Sequence, residues 1–244
     1  MKTIFCEQGS DEWHNARRCI ITGTKLESVM GTPLARVQLI SKLIGEEITE
    51  RSKEVKQTQE MAWGNEQEPV AIEAFTKQTG IEVDRSVGLM VSDEFDWLGF
   101  SPDGVVNGGK EMVEVKNPDT HTNVFYRLTN EIGMEELSLG TWSKPTKVNP
   151  ESIFSPSSKE PFVGVPADYK YQVLQGFFVN EICERIHFLI HDDRIIEKDK
   201  KLYIVIVERS NPLVQEALKE VRSELVKFRA DWVKWRDELF PSNF

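Results

Sequence analysis

The stretch from Gly99 to Pro118 limits the possible folds of this chain more than any other. It reads GFSPDGVV over 99–106, Asn107-Gly108-Gly109, and then KEMVEVKNP over 110–118. Two runs with β-branched residues around a Gly-rich turn specify a β-hairpin. Side chains alternate along a strand, so Val113 and Val115 point to one face and Met112, Glu114 and Lys116 to the other. Asp103 stands where the first strand begins, between Pro102 and Gly104. The hairpin can therefore bring Asp103, Glu114 and Lys116 to one side. Two carboxylates beside an amine suit Mg²⁺, because hard oxygen ligands hold the ion while the amine orients or activates a water. The same residues also describe a solvent-facing strand with ordinary charges and a Ser-Pro-Asp-Gly turn, so the pattern alone leaves both readings open.

Composition narrows the choice. At 244 residues the chain fits one domain with long excursions, or a domain and a half, and thirteen Phe can supply a core. No apolar run is long enough to span a bilayer, and the first residues carry no signal-peptide h-region. Three scattered cysteines (Cys6, Cys19, Cys183) have neither metal nor disulfide spacing, which predicts a reduced, cytoplasmic protein. Four histidines (His14, His121, His187, His191) are too dispersed for a zinc site, with His187 expected in a strand and His191 in a turn. A net charge of −10 argues against generic nucleic-acid affinity. Its distribution is uneven: residues 1–60 carry nine basic and nine acidic side chains, whereas 61–116 carry four and eleven, a local net of −7. A divalent-cation site around the hairpin would leave such an excess, as would a solvated acidic surface.

In chain order, Ser10 caps a short helix that places Trp13 and Arg17 on one face. Thr22-Gly23-Thr24 opens a second helix, and a hydroxyl beside free N–H groups and Arg17 could hold an anion, or simply cap the helix. Leu34 to Ile48 is amphipathic, with Val37, Ile40, Leu43, Ile44 and Ile48 on one face, and 49–59 reads as a loop or frayed helix. A helix follows Trp63; Pro69 belongs in its first turn, Gly80 ends it, and Glu68 either favours the dipole or faces a site. Strands are expected over 87–91 and 95–100, and a loop-rich insertion over 119–165. A helix over 168–180 has Tyr169, Gln172, Val173 and Gly176 on one face. Two strands follow at 185–191 and 202–207, the second fully buried. A long helix over 211–240 has heptad-like apolar spacing, which fits a coiled-coil seam or a helix laid on the core or a neighbouring subunit. The order predicts an α/β (α+β) fold, a single domain over 1–244 with a central mixed β-sheet flanked by helices.

These residues resemble a family, the lambda exonuclease (YqaJ-like viral recombinase) family of the PD-(D/E)XK nuclease superfamily. Five motifs carry the resemblance in order between Trp13 and about His191. They are Trp13-x-x-x-Arg17 with Ile21-Thr22-Gly23-Thr24; Trp63-Gly64-x-x-x-Glu68; Ser101-Pro102-Asp103-Gly104; Glu114-Val115-Lys116-Asn117-Pro118; and Val165-Pro166-x-x-Tyr169-x-x-Gln172-Val173. Thr24 stands where Ser is commoner, Cys19 where Gly is, and Asn117 where Cys is usual. Asn130 to Phe162 and the last helix match no motif.

The resemblance implies a restriction-endonuclease-like core and Mg²⁺-dependent phosphodiester hydrolysis, with Mn²⁺ as an alternative and two ions per site. Asp103, Glu114 and the Val115 carbonyl would ligate metal, and Glu68 would reach a second ion. Lys116 would hold the attacking water, and Gln172 and Tyr169 would position water or strand. Arg17, Thr24 and Ser101 would hold a 5′-phosphate, making the enzyme a 5′-to-3′ exonuclease on double-stranded DNA ends. DNA contact would fall to a local basic lining, with Lys25, Arg36, Lys42, Lys144 and Lys147 as candidates. Also implied are a toroidal homotrimer, a single-strand annealing partner and a phage or prophage origin in a bacterial host, with no membrane role. The alternatives are a structure- or site-specific endonuclease of the same superfamily, a catalytically silent DNA-end-binding protein, and an acidic globular protein with incidental hairpin charges.

Overall fold

The computed structural model describes residues 1–6, 10–23, 25–52, 58–128, 153–154 and 164–241. The hairpin forms, but its first arm serves two sheets. Gly99–Phe100 (β3) completes a three-stranded antiparallel sheet in the order β1-β2-β3, with Lys2–Ile4 as β1 and Leu89–Val91 as β2. Gly104–Val106 (β4) is the edge of a four-stranded sheet with Glu111–Lys116 (β5), Arg185–His191 (β6) and Leu202–Glu208 (β7), in that order. β5 and β6 run parallel and the other neighbours antiparallel, so this sheet is mixed as expected. Ser101-Pro102-Asp103 breaks the arm, because Pro102 has no N–H to give to a ladder. The turn is a 3-10 turn at Asn107–Gly109 with all three residues at positive φ, where Gly and Asn are least strained.

Alternation along β5 sorts the core into two layers. Met112 packs into the larger apolar cluster, and Val113 and Val115 into a second one. On the second side lies Gln59–Thr79 (α4), burying Ala71, Ile72 and Phe75. On the first lies Lys170–Val179 (α6), whose last seven residues are all buried. A helix apolar all round must be enclosed, and α6 packs against β3, Lys25–Met30 (α2) and the long Pro212–Leu239 (α7). Gly176 permits the approach, since a Cβ there would meet Phe100 and Met112 at 3.1 Å. α7 buries Val214, Val221, Leu225, Phe228 and Trp232, so its heptad spacing serves the protein's own core along most of its length.

Several expectations need correction. α4 begins at Gln59, so Pro69 lies in mid-helix rather than in the first turn. It forfeits one helical hydrogen bond, and the Thr58 cap together with the buried stripe sustains the helix. In Pro33–Thr49 (α3), Val37 is exposed while Glu46 is buried, where it accepts from Cys19 N at 3.0 Å. The stretch 119–165 is not wholly loop: Asp119 caps a helix at Thr120–Arg127 (α5), and most of the remainder lies outside the described residues. The fully buried strand is β6, not β7, which is an edge strand with Ile206 exposed. His191 belongs to β6 with His187, not to a turn. Among the described residues, no helix is long and apolar enough to cross a membrane.

Candidate active site

The C-terminal end of β5 is where the layers open. β4 stops at Gly104, and the Asp103 side chain takes over its last ladder position: Asp103 N donates to Val113 O, and Val115 N donates to Asp103 Oδ2 at 2.6 Å. Val113 O thus points to the β4 edge. The carbonyl two residues on, at Val115, points to the same edge, where no strand remains to use it.

Glu114 faces the α6 layer and is 2% exposed. Its Oε1 accepts from Lys116 Nζ and from Gln172 Nε2, both at 2.5 Å. Its Oε2 is buried with no hydrogen-bond partner among the described residues. Lys116 Nζ also lies 5.2 Å from the Tyr169 ring centroid. Glu68 arrives from α4 on the opposite layer, with Oε1 at 3.5 Å from an Arg85 guanidinium nitrogen. The structure therefore brings together Glu68, Asp103, Glu114, Lys116, Tyr169 and Gln172, one helix on each face of the sheet supplying its share.

Three acids against Lys116 leave an excess of negative charge. Burial, then the Asp103 charge, pushes Glu68 up to about 7. Burial also pushes Glu114 up to about 8, with Lys116 opposing and Asp103 adding to the rise. Asp103 is raised by burial against the pull of Lys116 and of the Val115 N–H. Burial would lower the Lys116 ammonium, but Glu114 and Asp103 outweigh it and hold it above the usual lysine range. Such a cluster binds protons or cations more tightly than isolated carboxylates do.

The donor set fits a hard divalent cation. Among the described residues, no three His, Cys, Asp or Glu side chains form a closed set of ligands for one metal ion. Mg²⁺ does not require one, because it keeps several waters and takes one or two carboxylates. Glu114 Oε2, unsatisfied and buried, is the group that a cation would pair.

Two cavities meet at these acids and share Glu68, Asp103 and Gln172. The smaller, of about 460 Å³, is lined by Trp13, Arg17, Arg85 and Ser101. There Arg17 donates to Ser101 Oγ at 3.3 Å and to Thr22 Oγ1 at 2.7 Å, and stacks 4.3 Å from the Trp13 ring centroid. Thr24 lies outside the described residues, as do Lys144 and Lys147. The larger cavity, of about 730 Å³, is lined by Trp63, Lys116, Asn117, Tyr169 and Arg194.

Two of the expected DNA contacts are occupied by the fold. Lys25 donates to Ile20 O at 2.8 Å, and Arg36 pairs with Glu224 at 2.7 Å. Of Thr22-Gly23-Thr24 the sequence reading singles out the Thr24 hydroxyl, and Thr22, two residues earlier, accepts from Arg17. Sequence reasoning missed Arg194, which lies 5.1 Å over Trp63 and donates to Pro118 O. It also missed Arg85, which no motif or spacing marks.

Residues 12–179 match the family model described as the YqaJ-like viral recombinase domain. Among curated proteins, none matches the chain. Among solved structures, the chain is similar to the alkaline exonuclease LHK-Exo from Laribacter hongkongensis (TM-score 0.64, 23% identity, covering 94% of this chain and 98% of that one). The same exonuclease in complex with dAMP gives a TM-score of 0.65 at the same identity and coverage. A phage-related exonuclease from Haemophilus somnus 129PT gives 0.57 at 15% identity, covering 91% and 95%. At these identities the likeness establishes a shared fold, and the mixed α/β nuclease fold expected from the sequence is that fold.

Proposed function

Because the chain belongs to the YqaJ-like viral recombinase family, we propose that it is a metal-dependent 5′-to-3′ exonuclease acting on double-stranded DNA ends. The observation that carries this reading is Glu114: a buried carboxylate with one oxygen held by Lys116 and Gln172 and the other unpaired among the described residues, beside Asp103 and Glu68. A structural ion pair needs no spare buried oxygen, whereas a metal ligand does.

Asp103, Glu114 and the Val115 carbonyl would hold Mg²⁺ or Mn²⁺, and Glu68 a second ion. Bound there, the metal would polarise the phosphate and offset the charge that grows on its oxygens. Lys116 stays an ammonium, so it orients the attacking water as a donor rather than taking its proton. Gln172 fixes the Glu114 carboxylate, and Tyr169 walls the Lys116 side. Arg17 and Ser101, with Thr24, would hold a terminal 5′-phosphate through charge-assisted hydrogen bonds. Attack of water on phosphorus with departure of the 3′-oxygen frees a mononucleotide and leaves a new 5′-phosphate, which the same pocket can take again. The strand left behind is a 3′ single-stranded tail, the substrate of recombination.

In this reading 1–244 is one nuclease domain in the cytoplasm of a bacterial host, encoded by a phage or prophage. It would work as a toroidal homotrimer with a single-strand annealing partner. The test uses linear duplex with and without a 5′-phosphate, and closed circular duplex, each with Mg²⁺ or EDTA. Mononucleotides should appear only from linear DNA with Mg²⁺, fastest from phosphorylated ends. Cutting of the closed circle would refute the exonuclease assignment.

A further inference from the structure

Two cations of the cleft, Arg85 and Arg194, have no part in the roles above, and Arg85 is the one that meets an acid of the site. Arg85 lies in the extended segment between α4 and β2, and the backbone fixes its place. Asp84 N donates to Val105 O at 2.8 Å and Val105 N to Asp84 O at 2.9 Å, bridging the segment to β4 one residue before Arg85. Val83 lies so close to the hairpin that a Cβ on Gly104 would meet Val83 Cγ1 at 2.3 Å. On the other side, Ser86 donates from N and Oγ to Asp84 Oδ1, which closes the turn. Arg85 thus projects from a braced point into the smaller cavity.

Its surroundings differ from those of Arg17. Arg17 is engaged by Trp13, Ser101 and Thr22 at one end of that cavity. Arg85 faces the acids: it stands 3.5 Å from Glu68 and its charge also acts on Asp103. Its side chain is 48% exposed, and at 3.5 Å the contact with Glu68 is a loose ion pair rather than a short hydrogen bond. A phosphate oxygen can therefore replace Glu68 as its partner at little cost.

We propose that Arg85 grips the scissile phosphodiester, while Arg17 serves the terminal 5′-phosphate. The inference rests on the nuclease reading and assigns the substrate's two phosphates to different arginines. The reacting phosphate must sit against Asp103, Glu114 and Glu68; Arg85 is the guanidinium that pairs with one of those acids, whereas Arg194, at the larger cavity, is held by Asp192 and Pro118 O. Its fork can take two phosphoryl oxygens at once, and its charge offsets what develops on them as the bond breaks.

The test compares Arg85→Gln, Arg85→Lys, Arg17→Gln and Glu114→Gln on linear duplex bearing a 5′-phosphate or a 5′-hydroxyl, in Mg²⁺. Arg85→Gln should lower kcat on the order of 10²-fold and keep the wild-type ratio of rates on the two ends. Arg85→Lys, with charge but no fork, should recover only part of the loss. Arg17→Gln should collapse the ratio. The proposal is overturned if Arg85→Gln turns over within about twofold of wild type, or if it loses the preference for phosphorylated ends as Arg17→Gln does. Should Arg85→Gln not fold, judged by its melting curve, Arg85→Lys decides alone, and a wild-type rate there overturns the assignment. Glu114→Gln cutting at the wild-type rate would overturn the nuclease reading and this proposal together; an inactive Glu114→Gln beside a fully active Arg85→Gln would overturn this proposal alone.

Discussion

Lys116 and Glu114 lie two residues apart on one face of β5, and their contact sets what each can do. With Glu114 and Asp103 beside it, Lys116 keeps its proton, so its removal should damage turnover rather than binding. Lys116→Ala is expected to lose on the order of 10²–10⁴-fold in rate while still binding DNA ends when Ca²⁺ replaces Mg²⁺; cleavage at the wild-type rate would refute the role. The acids make a second prediction, about pH. Glu68 at about 7 and Glu114 at about 8 stand above their ordinary 4.5. Between those values the metal-free folded protein binds more protons than the unfolded chain, so its stability falls as pH rises. A divalent cation takes the place of those protons. Mg²⁺ should therefore raise the melting temperature more at about pH 8.5 than at about pH 6, and an equal rise at both would contradict the proposed cation site. At this scale Asp103, Glu114 and Lys116 were legible, because strand alternation is a local rule. Arg85 was not, since its closeness to Glu68 depends on the bridge between Asp84 and Val105, which are distant in sequence.

Two glycines of the hairpin separate turn geometry from close packing. Gly108 sits at φ +66 with open space around the position of a Cβ, whereas Gly104 faces Val83 at 2.3 Å. Gly108→Ala should cost about 1 kcal/mol through backbone strain alone and leave turnover intact. Gly104→Ala should cost about 1–3 kcal/mol through overpacking and also slow cleavage, because Val83 must shift with the Asp84 bridge and Arg85. Urea midpoints and rates on linear duplex check both, and unchanged cleavage by a stably folded Gly104→Ala would show that the bridge does not support the site. The elements themselves were largely readable from apolar period and caps, as at α3, α6 and α7. The exceptions have physical causes. Pro69 is tolerated in mid-α4 because the Ala71, Ile72 and Phe75 stripe holds the helix by tertiary burial. Ser101-Pro102-Asp103 splits one apparent strand between two sheets, a decision taken by the partners β2 and β5 and not by the run itself.

For the molecule as a whole, the charge of −10 and the local −7 over residues 61–116 limit how DNA can be held. The cleft offers a few cations, namely Arg17, Arg85, Lys116 and Arg194, against five acids, Glu60, Glu68, Asp103, Glu114 and Asp119. End binding should need a divalent cation and depend only weakly on salt, with a log–log slope of about one per phosphate held. Binding that survives EDTA, or a slope fit for six or more phosphates, would locate DNA on a surface other than this cleft. Of the distant lysines and arginines read as DNA contacts, Lys25 and Arg36 brace the fold instead. Composition counts charges without telling which are already paired.

The sequence by itself determined the local grammar: the hairpin, which of its residues share a face, the helical stripes, and the family motifs in order. Those follow from backbone periods and turn sterics, which act over a few residues. Only the tertiary structure decided that α4 and α6 clamp opposite faces of β5, that Glu68 and Gln172 meet at its open end, and that one oxygen of Glu114 finds no partner among the described residues. Those outcomes depend on how buried layers close over one another, and burial joins residues that are far apart along the chain.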